Sequence, residues 1–306
     1  MKKHYFLFFI LIFSLCFTGC SKVESTQTNL SESTSLSEES TQSTVECTEE
    51  TVETMTAPET LRFVDAWEEW HEVEILPDVK KHSYDWNYLS NNETGISYTG
   101  DANYSIRKGI DVSKWQGTIE WEKVKADGYD FVFIRLGYRG YSDAGGLEID
   151  SKFYKNIQGA QAAGLDVGVY FFSQAINEKE ALEEAEFVLN ALSEYHLQLP
   201  IVYDPELIRD TDARTNDETG EQFTKNTLVF CNKIKEAGFE PMIYSNMFWE
   251  AFLFDMTQLQ MYPFWYADYE TIPQTPYAFS FWQYSETGIV DGIDTNVDLN
   301  IQFIPN

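Results

Sequence analysis

The chain has 306 residues, an aromatic content of 16% and a formal net charge of -29 at pH 7. The aromatic content supports a large core, and the sequence contains no stripe of basic residues. We therefore exclude nucleic acid as a partner, since proteins bind its phosphates through clustered Lys and Arg. The excess negative charge favours solubility and is not a specificity signal.

The first twenty residues predict export. Lys2 and Lys3 precede an apolar run over residues 5–17, and the small residues Thr18 and Gly19 then lead to Cys20. The run is about 13 residues long, against the ~20 that a membrane-spanning helix needs, so residues 1–20 are a secretory signal. Thr-Gly-Cys resembles a bacterial lipobox, which implies that Cys20 receives a lipid. The alternative is an ordinary signal peptide with an incidental Cys.

Three regions are predicted to follow the signal. Residues 21–60 are rich in Ser, Thr and Glu and too poor in apolar residues to fold, which predicts a disordered tether. Residues 61–104 carry Trp67, Trp70 and Trp86, and we expect them to pack on the following domain as an extension. A small wall-binding module is the less favoured alternative. Residues 105–306 form the main domain, and its single Cys231 is predicted to be buried and unreactive.

The main domain alternates strand and helix patterns. After a first strand around Ile110, strands are predicted over residues 130–136, 166–172, 199–203, 241–245, 264–267 and 279–284, and helices over residues 121–126, 151–163, 178–195 and 220–237. Gly164 and Gly238 are expected to end two of the helices. This order predicts an α/β fold of the (β/α) barrel type. The barrel should be irregular, because its later connections are too short for full helices.

Four acidic residues are placed where strand patterns end, which in a β/α barrel is the site of chemistry. Asp111 lies on the first strand, Asp204 and Glu206 end the strand over residues 199–203, and Asp298 lies near the C-terminus. Residues at i and i+2 of a strand point to one face, so Asp204 and Glu206 should share a cleft. Mutual repulsion should raise the pKa of at least one of them.

Aromatic residues on the predicted strands complete a pattern typical of glycoside hydrolysis, in which one acid protonates the leaving oxygen and another stabilises the developing positive charge. The aromatic rings would bind sugars, although aromatics at strand ends are as often core; they are Tyr170, Phe172, Tyr244, Trp265 and Trp282. Acid clusters can also hold Mg²⁺ or Ca²⁺, and a metal-dependent hydrolase is a weaker alternative.

Four motifs in order carry a family resemblance: Gly109-Ile-Asp-Val-Ser-Lys-Trp-Gln-Gly117, Asp204-Pro-Glu206, Phe281-Trp-Gln-Tyr284 and Val297-Asp-Leu-Asn300. Residues 105–306 resemble glycoside hydrolase family 25, the Chalaropsis-type lysozymes. The resemblance implies a flattened, incomplete β/α barrel that cleaves the β-1,4 bond between N-acetylmuramic acid and N-acetylglucosamine in peptidoglycan, without a cofactor or metal.

The resemblance also implies roles for the acidic residues. Glu206 would be the general acid, and Asp204 would assist the substrate N-acetyl group in substrate-assisted hydrolysis; inversion through an activated water is the alternative. Asp111 and Asp298 would support the cleft electrostatically, with Arg135 paired to one of them. Gln283, in the third motif, would contact substrate.

Pro205 departs from the family pattern, because the family has an aliphatic or aromatic residue between the two acids. A proline lacks the backbone N–H and fixes φ, so it could rotate Glu206 relative to Asp204. The alternative function is therefore a catalytically impaired lipoprotein that binds wall glycan. In either case we expect a monomer anchored through Cys20 to the outer face of the bacterial cytoplasmic membrane, in the cell wall zone.

Overall fold

The computed structural model describes residues 58–92 and 95–306. The predicted signal, with Cys20 as its predicted lipidation site, and residues 21–57 of the predicted tether lie outside these ranges. Within the described part of the chain, no helix is both long and apolar enough to cross a membrane.

The described strands are, in chain order, β1 (Thr60–Val64), β2 (Trp70–Glu74), β3 (Leu89–Asn92), β4 (Gly95–Tyr98), β5 (Tyr104–Val112), β6 (Phe131–Arg139), β7 (Leu147–Ile149), β8 (Asp166–Ser173), β9 (Ile201–Pro205), β10 (Pro241–Asn246), β11 (Phe264–Ala267), β12 (Phe281–Gly288) and β13 (Val297–Pro305). The helices are α1 (Trp121–Ala126), α2 (Phe153–Ala162), α3 (Glu178–Ala191), α4 (Gly220–Glu236) and α5 (Met256–Leu259). A π-helical segment over Trp249–Leu253 precedes α5.

Eight strands form a closed barrel in the order β5, β13, β12, β11, β10, β9, β8 and β6, and β6 pairs with β5 to complete the ring. Neighbours are parallel from β5 through β6 and β8 to β12, whereas β13 runs antiparallel to both β12 and β5. The short strand β7 pairs outside the ring with β6. The predicted α/β fold with an irregular β/α barrel is confirmed.

The helices begin and end where local chemistry requires. The side chain of Asn177 accepts a hydrogen bond from the Glu180 N–H at the start of α3, and Thr219 does the same for the Gln222 N–H at the start of α4. Gly164 and Gly238 follow α2 and α4 with φ of 76° and 87°, a left-handed conformation that glycine adopts without strain. Helix α3 ends at Ala191, four residues before its predicted end, with the chain then turning toward β9.

The sequence predicted neither the four strands of the N-terminal extension, β1 to β4, nor β7 and β13 of the main sheet. Strand β7 has only three residues, too few for a periodic pattern. For β13, the sequence predicted only that Asp298 lies in this segment. In β13 the polar residues Asp298, Asn300 and Gln302 point to one face of the sheet, and the apolar residues point to the other. Such a polar inward face is unusual for a barrel strand, and here it lies beside the candidate site.

The core has two layers. Inside the barrel, alternate residues of the strands form a compact aromatic plug of Phe131, Phe133, Val202, Met242, Trp265 and Phe281. Outside the barrel, the opposite faces of the strands pack under the helices and the N-terminal extension. Because the plug fills the interior, a ligand can enter only at the ends of the strands.

The N-terminal extension covers the side of the barrel that has no long helix. The Tyr84 ring stacks on Phe303 of β13 with centroids 3.9 Å apart, and its hydroxyl donates to the Phe279 carbonyl at 2.5 Å. Trp86 lies edge-on to Trp282 and Phe303, at 6.4 and 6.0 Å. The extension therefore buries the outer face of β12 and β13, as the helices bury the strands elsewhere.

Candidate active site

The predicted acidic residues meet at one end of the barrel. Asp111 lies near the end of β5, Asp204 lies near the end of β9, and Glu206 follows one residue after β9. Asp298 lies at the start of β13, and because this strand is antiparallel its start reaches the same end of the barrel. The charge of Asp111 raises the pKa of the other three carboxyl groups, and the charge of Glu206 raises the pKa of Asp204 and of Asp298.

Asp204 and Glu206 form the central pair. Asp204 is 4% exposed, whereas Glu206 is half-buried. Burial and the charge of Asp111 raise the pKa of Glu206 to about 7, and burial and the charge of Glu206 raise that of Asp204 well above its usual range. The pair therefore retains a proton near neutral pH, as a general acid requires.

One oxygen of Asp204 has no protein partner. Its Oδ1 is buried and accepts no hydrogen bond from any residue that the structure describes. A buried acceptor of this kind is costly unless a ligand supplies the missing donor. The atom thus marks a position where a polar N–H or O–H of a substrate would fit.

Asp111 and Asp298 form a second pair, directly opposite each other in the β5–β13 register. The side-chain amides of Gln283 and Asn300 donate to Oδ2 of Asp111 at 2.8 and 2.9 Å, which favours its charged form against the effect of burial. Burial and the charge of Asp111 raise the pKa of Asp298 to about 9. At neutral pH Asp298 therefore carries a proton beside Asp111.

Arg135 does not pair with Asp111 or Asp298, so that prediction was wrong. Its guanidinium binds Asp150, with Nε and Nη2 at 2.8 and 2.7 Å from Oδ2. Asp150 is buried and also accepts the N–H groups of Lys114 and Lys152, which fix its position. Asp150 follows β7, the strand that the sequence did not reveal. The Arg135 charge still lowers the pKa of Asp204 and of Glu206.

Pro205 does not displace Glu206 from the cleft. It is the last residue of β9, and the pairing of β9 with β10 already ends at Tyr203, so the missing N–H breaks no bond on that side. The Gln174 amide donates to the Glu206 carbonyl at 2.7 Å, and Thr215 donates to the other end of Gln174 at 3.1 Å. The described residues give no support to a catalytically impaired site. Gln174 was not predicted from the sequence.

The predicted aromatic residues divide between the two faces of the barrel wall. Tyr244 donates to Gln283 at 2.8 Å and is half-buried, and Tyr170 and Phe172 are half-buried on the inner face of β8. Trp265 is 1% exposed and donates to Asn300 at 2.8 Å, so it forms the floor beneath the acids and presents no open ring. Trp282 faces outward against Trp86, and its prediction as a sugar-binding residue was wrong.

Tyr269 belongs to the site although the sequence did not point to it. It is 47% exposed, and its hydroxyl donates at 3.0 Å to the same Gln283 oxygen that Tyr244 contacts. It comes from the loop after β11, where no strand pattern marks it. Two tyrosines thus orient Gln283, which in turn donates to Asp111.

Glu206 lines a cleft of about 480 Å³ at this end of the barrel. Its lining includes Glu206, Tyr244, Asp268 and Tyr269, together with residues 64–68 of the N-terminal extension. A cleft of this size fits a small ligand or part of a polymer.

The described residues contain one group of potential metal ligands, Asp65, Glu69 and His71, whose ligand atoms lie within 4.8 Å of one another. The sequence did not reveal it. Asp65 already accepts the N–H groups of Trp67 and Glu69 and contacts the His71 ring at 2.9 Å. These hydrogen bonds hold the turn between β1 and β2, and they explain why the three side chains lie close together.

Residues 110–293 match the model of glycosyl hydrolases family 25. An uncharacterized protein, YegX of Escherichia coli, is 30% identical over 204 residues, 65% of this chain and 70% of that protein. Lysozyme M1 of Streptomyces globisporus is 28% identical over 222 residues, 66% and 69% of the two chains.

Among solved structures, the modular autolysin LytC of Streptococcus pneumoniae, in complex with a synthetic peptidoglycan ligand, aligns with a TM-score of 0.58 at 21% identity. The alignment covers 79% of this chain and 56% of LytC, so this chain spans just over half the length of that protein. The likeness to LytC concerns the fold alone. The family model covers most of the barrel and both members of the central acid pair, and the chain belongs to glycosyl hydrolases family 25 and is a glycoside hydrolase.

Proposed function

We propose that this protein is a peptidoglycan hydrolase of the Chalaropsis-type lysozymes, an N-acetylmuramidase. It cleaves the β-1,4 bond between N-acetylmuramic acid and N-acetylglucosamine. The observation that carries the proposal is the pair of buried Asp204 and half-buried Glu206, with raised pKa values and an Asp204 oxygen that has no partner among the described residues. Membership of glycosyl hydrolases family 25 and the similarity to Lysozyme M1 support the choice of polymer.

Glu206 acts as the general acid. Its pKa of about 7 leaves a large fraction of Glu206 protonated at neutral pH, and the protonated form gives its proton to the oxygen of the bond that breaks. As the C–O bond breaks, positive charge develops on the sugar carbon. The departing sugar leaves as an alcohol, and the deprotonated Glu206 can then activate water.

Asp204 assists the substrate N-acetyl group. Its free Oδ1 accepts the N–H of that group, and it can do so whether or not the other oxygen of Asp204 carries a proton. The N-acetyl carbonyl oxygen then bonds to the sugar carbon in place of an enzyme nucleophile. Water opens this intermediate, and its proton passes to Glu206. Inversion by an activated water is the alternative, and proton NMR of the first-formed anomer separates the two routes.

Asp111 and Asp298 support the centre without touching the breaking bond. Asp111, held by Gln283 and Asn300, adds negative charge that keeps Glu206 protonated. Tyr170, Phe172 and Tyr244 shape the cleft walls.

The test is release of reducing ends from purified peptidoglycan by the full-length chain and by Glu206→Gln. Wild type should release fragments that end in reducing N-acetylmuramic acid, and the variant should lose at least ~100-fold in rate. The variant should remain folded, because a raised carboxyl pKa means that stability falls as pH rises from 4.5 toward 7, and the neutral amide removes that loss. Binding without release by wild type would instead favour a glycan-binding lipoprotein.

We also propose that Cys20 carries a lipid that anchors the protein to the outer face of the cytoplasmic membrane, with residues 21–60 as the tether into the wall. The Thr-Gly-Cys motif after an apolar run supports this. One chain supplies every acid of the cleft, so we propose that it acts as a monomer. Cys20→Ala should move the protein from the membrane to the soluble fraction. Cys47→Ala, the control, should leave the protein at the membrane.

A further inference from the structure

The loop of the N-terminal hairpin, Asp65–Glu69 between β1 and β2, lines the same cleft as Glu206. We propose that this loop, through Trp67, forms an additional sugar-binding subsite that engages the glycan strand beyond the sugars at the cleaved bond. The inference rests on the proposed function for the identity of its ligand. The location of the loop is independent of that function.

The hairpin is firmly attached to the barrel. Phe63 is fully buried and stacks on His71 with centroids 5.1 Å apart. Gln274 forms two hydrogen bonds with the Val64 backbone, accepting its N–H at 2.8 Å and donating to its carbonyl at 2.9 Å. The Gln274 backbone N–H donates to Asp268 at the end of β11, at 2.8 Å. The hairpin thus has a fixed position relative to the cleft.

The loop itself is ordered by Asp65. Its side chain is 1% exposed and accepts the Trp67 and Glu69 N–H groups at 2.8 and 3.0 Å. Its other oxygen contacts the His71 ring at 2.9 Å, and Glu68 adopts a left-handed φ of 64°. A non-glycine residue in this conformation is held by its surroundings. The loop is therefore preorganised, which reduces the entropy cost of binding.

Trp67 is placed as a sugar platform. Its indole packs edge-on against Phe248 at 5.2 Å, and the exposed Arg209 guanidinium lies 4.6 Å from the ring centroid. The side chain remains half-exposed and lines the cleft with Tyr269. Two aromatic residues along one cleft offer apolar faces for the C–H surfaces of successive sugars. The exposed carboxylates of Glu68 and Glu270 supply acceptors for sugar hydroxyls.

Trp70 provides a matched control within the same hairpin. It is 61% exposed and lies at the start of β2, opposite Val64, with the Arg62 guanidinium 4.6 Å from its ring. It is outside the lining of the cleft. A general effect of removing an exposed Trp from the hairpin would therefore be seen equally in Trp70→Ala.

The experiment compares Trp67→Ala, Trp67→Tyr and Trp70→Ala in the full-length chain. The substrates are peptide-free oligosaccharides of alternating N-acetylglucosamine and N-acetylmuramic acid, four and eight sugars long. Trp67→Ala should lower kcat/KM for the octasaccharide by about tenfold, equivalent to about 1.4 kcal/mol, and for the tetrasaccharide by clearly less. The loss should lie in KM, Trp67→Tyr should recover most of it, and Trp70→Ala should match wild type.

A second measurement keeps this inference separate from the proposed reaction. The same oligosaccharides are titrated calorimetrically into Glu206→Gln, with and without Trp67→Ala. Weaker octasaccharide binding in the double variant supports the subsite even if wild type cleaves nothing. Equal losses on both lengths, equal losses in Trp67→Ala and Trp70→Ala, or unchanged octasaccharide binding in the double variant would overturn it.

Discussion

The chemistry of individual residues in the cleft depends on an imbalance of charge. Four carboxyl groups share the site with the guanidinium of Arg135, and that guanidinium is already bound to Asp150. Because burial and mutual repulsion exceed this attraction, Glu206 titrates near pH 7 and Asp298 near pH 9. Arg135 therefore sets how far the pKa of the acid rises, without contributing a proton itself.

This charge balance predicts a pH profile. Loss of the Glu206 proton should make kcat/KM fall as pH rises through about 7. Arg135→Met removes the positive charge that lowers the Glu206 pKa, so the alkaline limb should move to higher pH. Arg135→Lys keeps the charge and should move it less. The measurement is kcat/KM against pH for all three proteins, at a temperature where each is shown to be folded. An unmoved limb in Arg135→Met would contradict the assignment.

The acidic residues of the candidate site could be placed together from the sequence, whereas several of the residues that hold them in position could not. Asp204 and Glu206 stand two apart at the end of an apolar run, and the geometry of a strand brings them together. Asp150 and Gln174 reach the site from loops whose paths depend on tertiary packing. Trp282 was predicted to bind sugar, but it faces away from the site. A strand pattern shows that neighbouring residues point to opposite faces, but not which face lies inside the barrel. Here Gln283 faces inward, so Trp282 faces outward.

At the scale of elements, β5 depends on a residue without a side chain. Gly109 faces the barrel interior, where an added Cβ would lie 2.2 Å from the Phe131 ring. Phe131 cannot withdraw, because it is fully buried and packs edge-on against Phe281 at 5.3 Å and Phe133 at 6.0 Å. The glycine of the first motif is thus required by the plug.

Gly109→Ala should therefore destabilise the protein by about 1–3 kcal/mol, since overpacking a filled core displaces side chains or backbone. Gly146→Ala is the control, because no heavy atom lies within 4 Å of its added Cβ, and its effect should stay within about 0.5 kcal/mol. Denaturation by guanidinium chloride measures both. A neutral Gly109→Ala would mean that the plug is loosely packed.

The parallel strands of the barrel and helices α1 to α4 were predictable because each has its own sequence pattern, and α3 and α4 also begin with a side-chain cap. The closing strand was not, because β13 carries polar residues toward the cleft and apolar ones outward. The apolar face of β13 includes Val297 and Phe303, which are both buried in the folded protein. Phe303 packs on Tyr84 and Trp86 of the extension, and the sequence did not show which strand the extension would cover.

At the scale of the whole molecule, the extension covers the outer face of β12 and β13, and loss of its contacts should lower the stability of the whole domain. Tyr84 stacks on Phe303 at 3.9 Å, lies edge-on to Phe279 at 5.2 Å and donates a hydrogen bond to the Phe279 carbonyl. Tyr84→Ala should cost about 2–4 kcal/mol and lower Tm by roughly 10 °C. Tyr88→Ala, at a 38% exposed position of the same extension, should cost less than about 1 kcal/mol.

Scanning calorimetry of the two variants tests whether the extension and the barrel unfold together. If they do, each variant should show a single cooperative transition, with its temperature lowered only in Tyr84→Ala. A separate early transition, or equal small shifts in both variants, would show instead that the extension is an independent attachment and that β13 is stable without it.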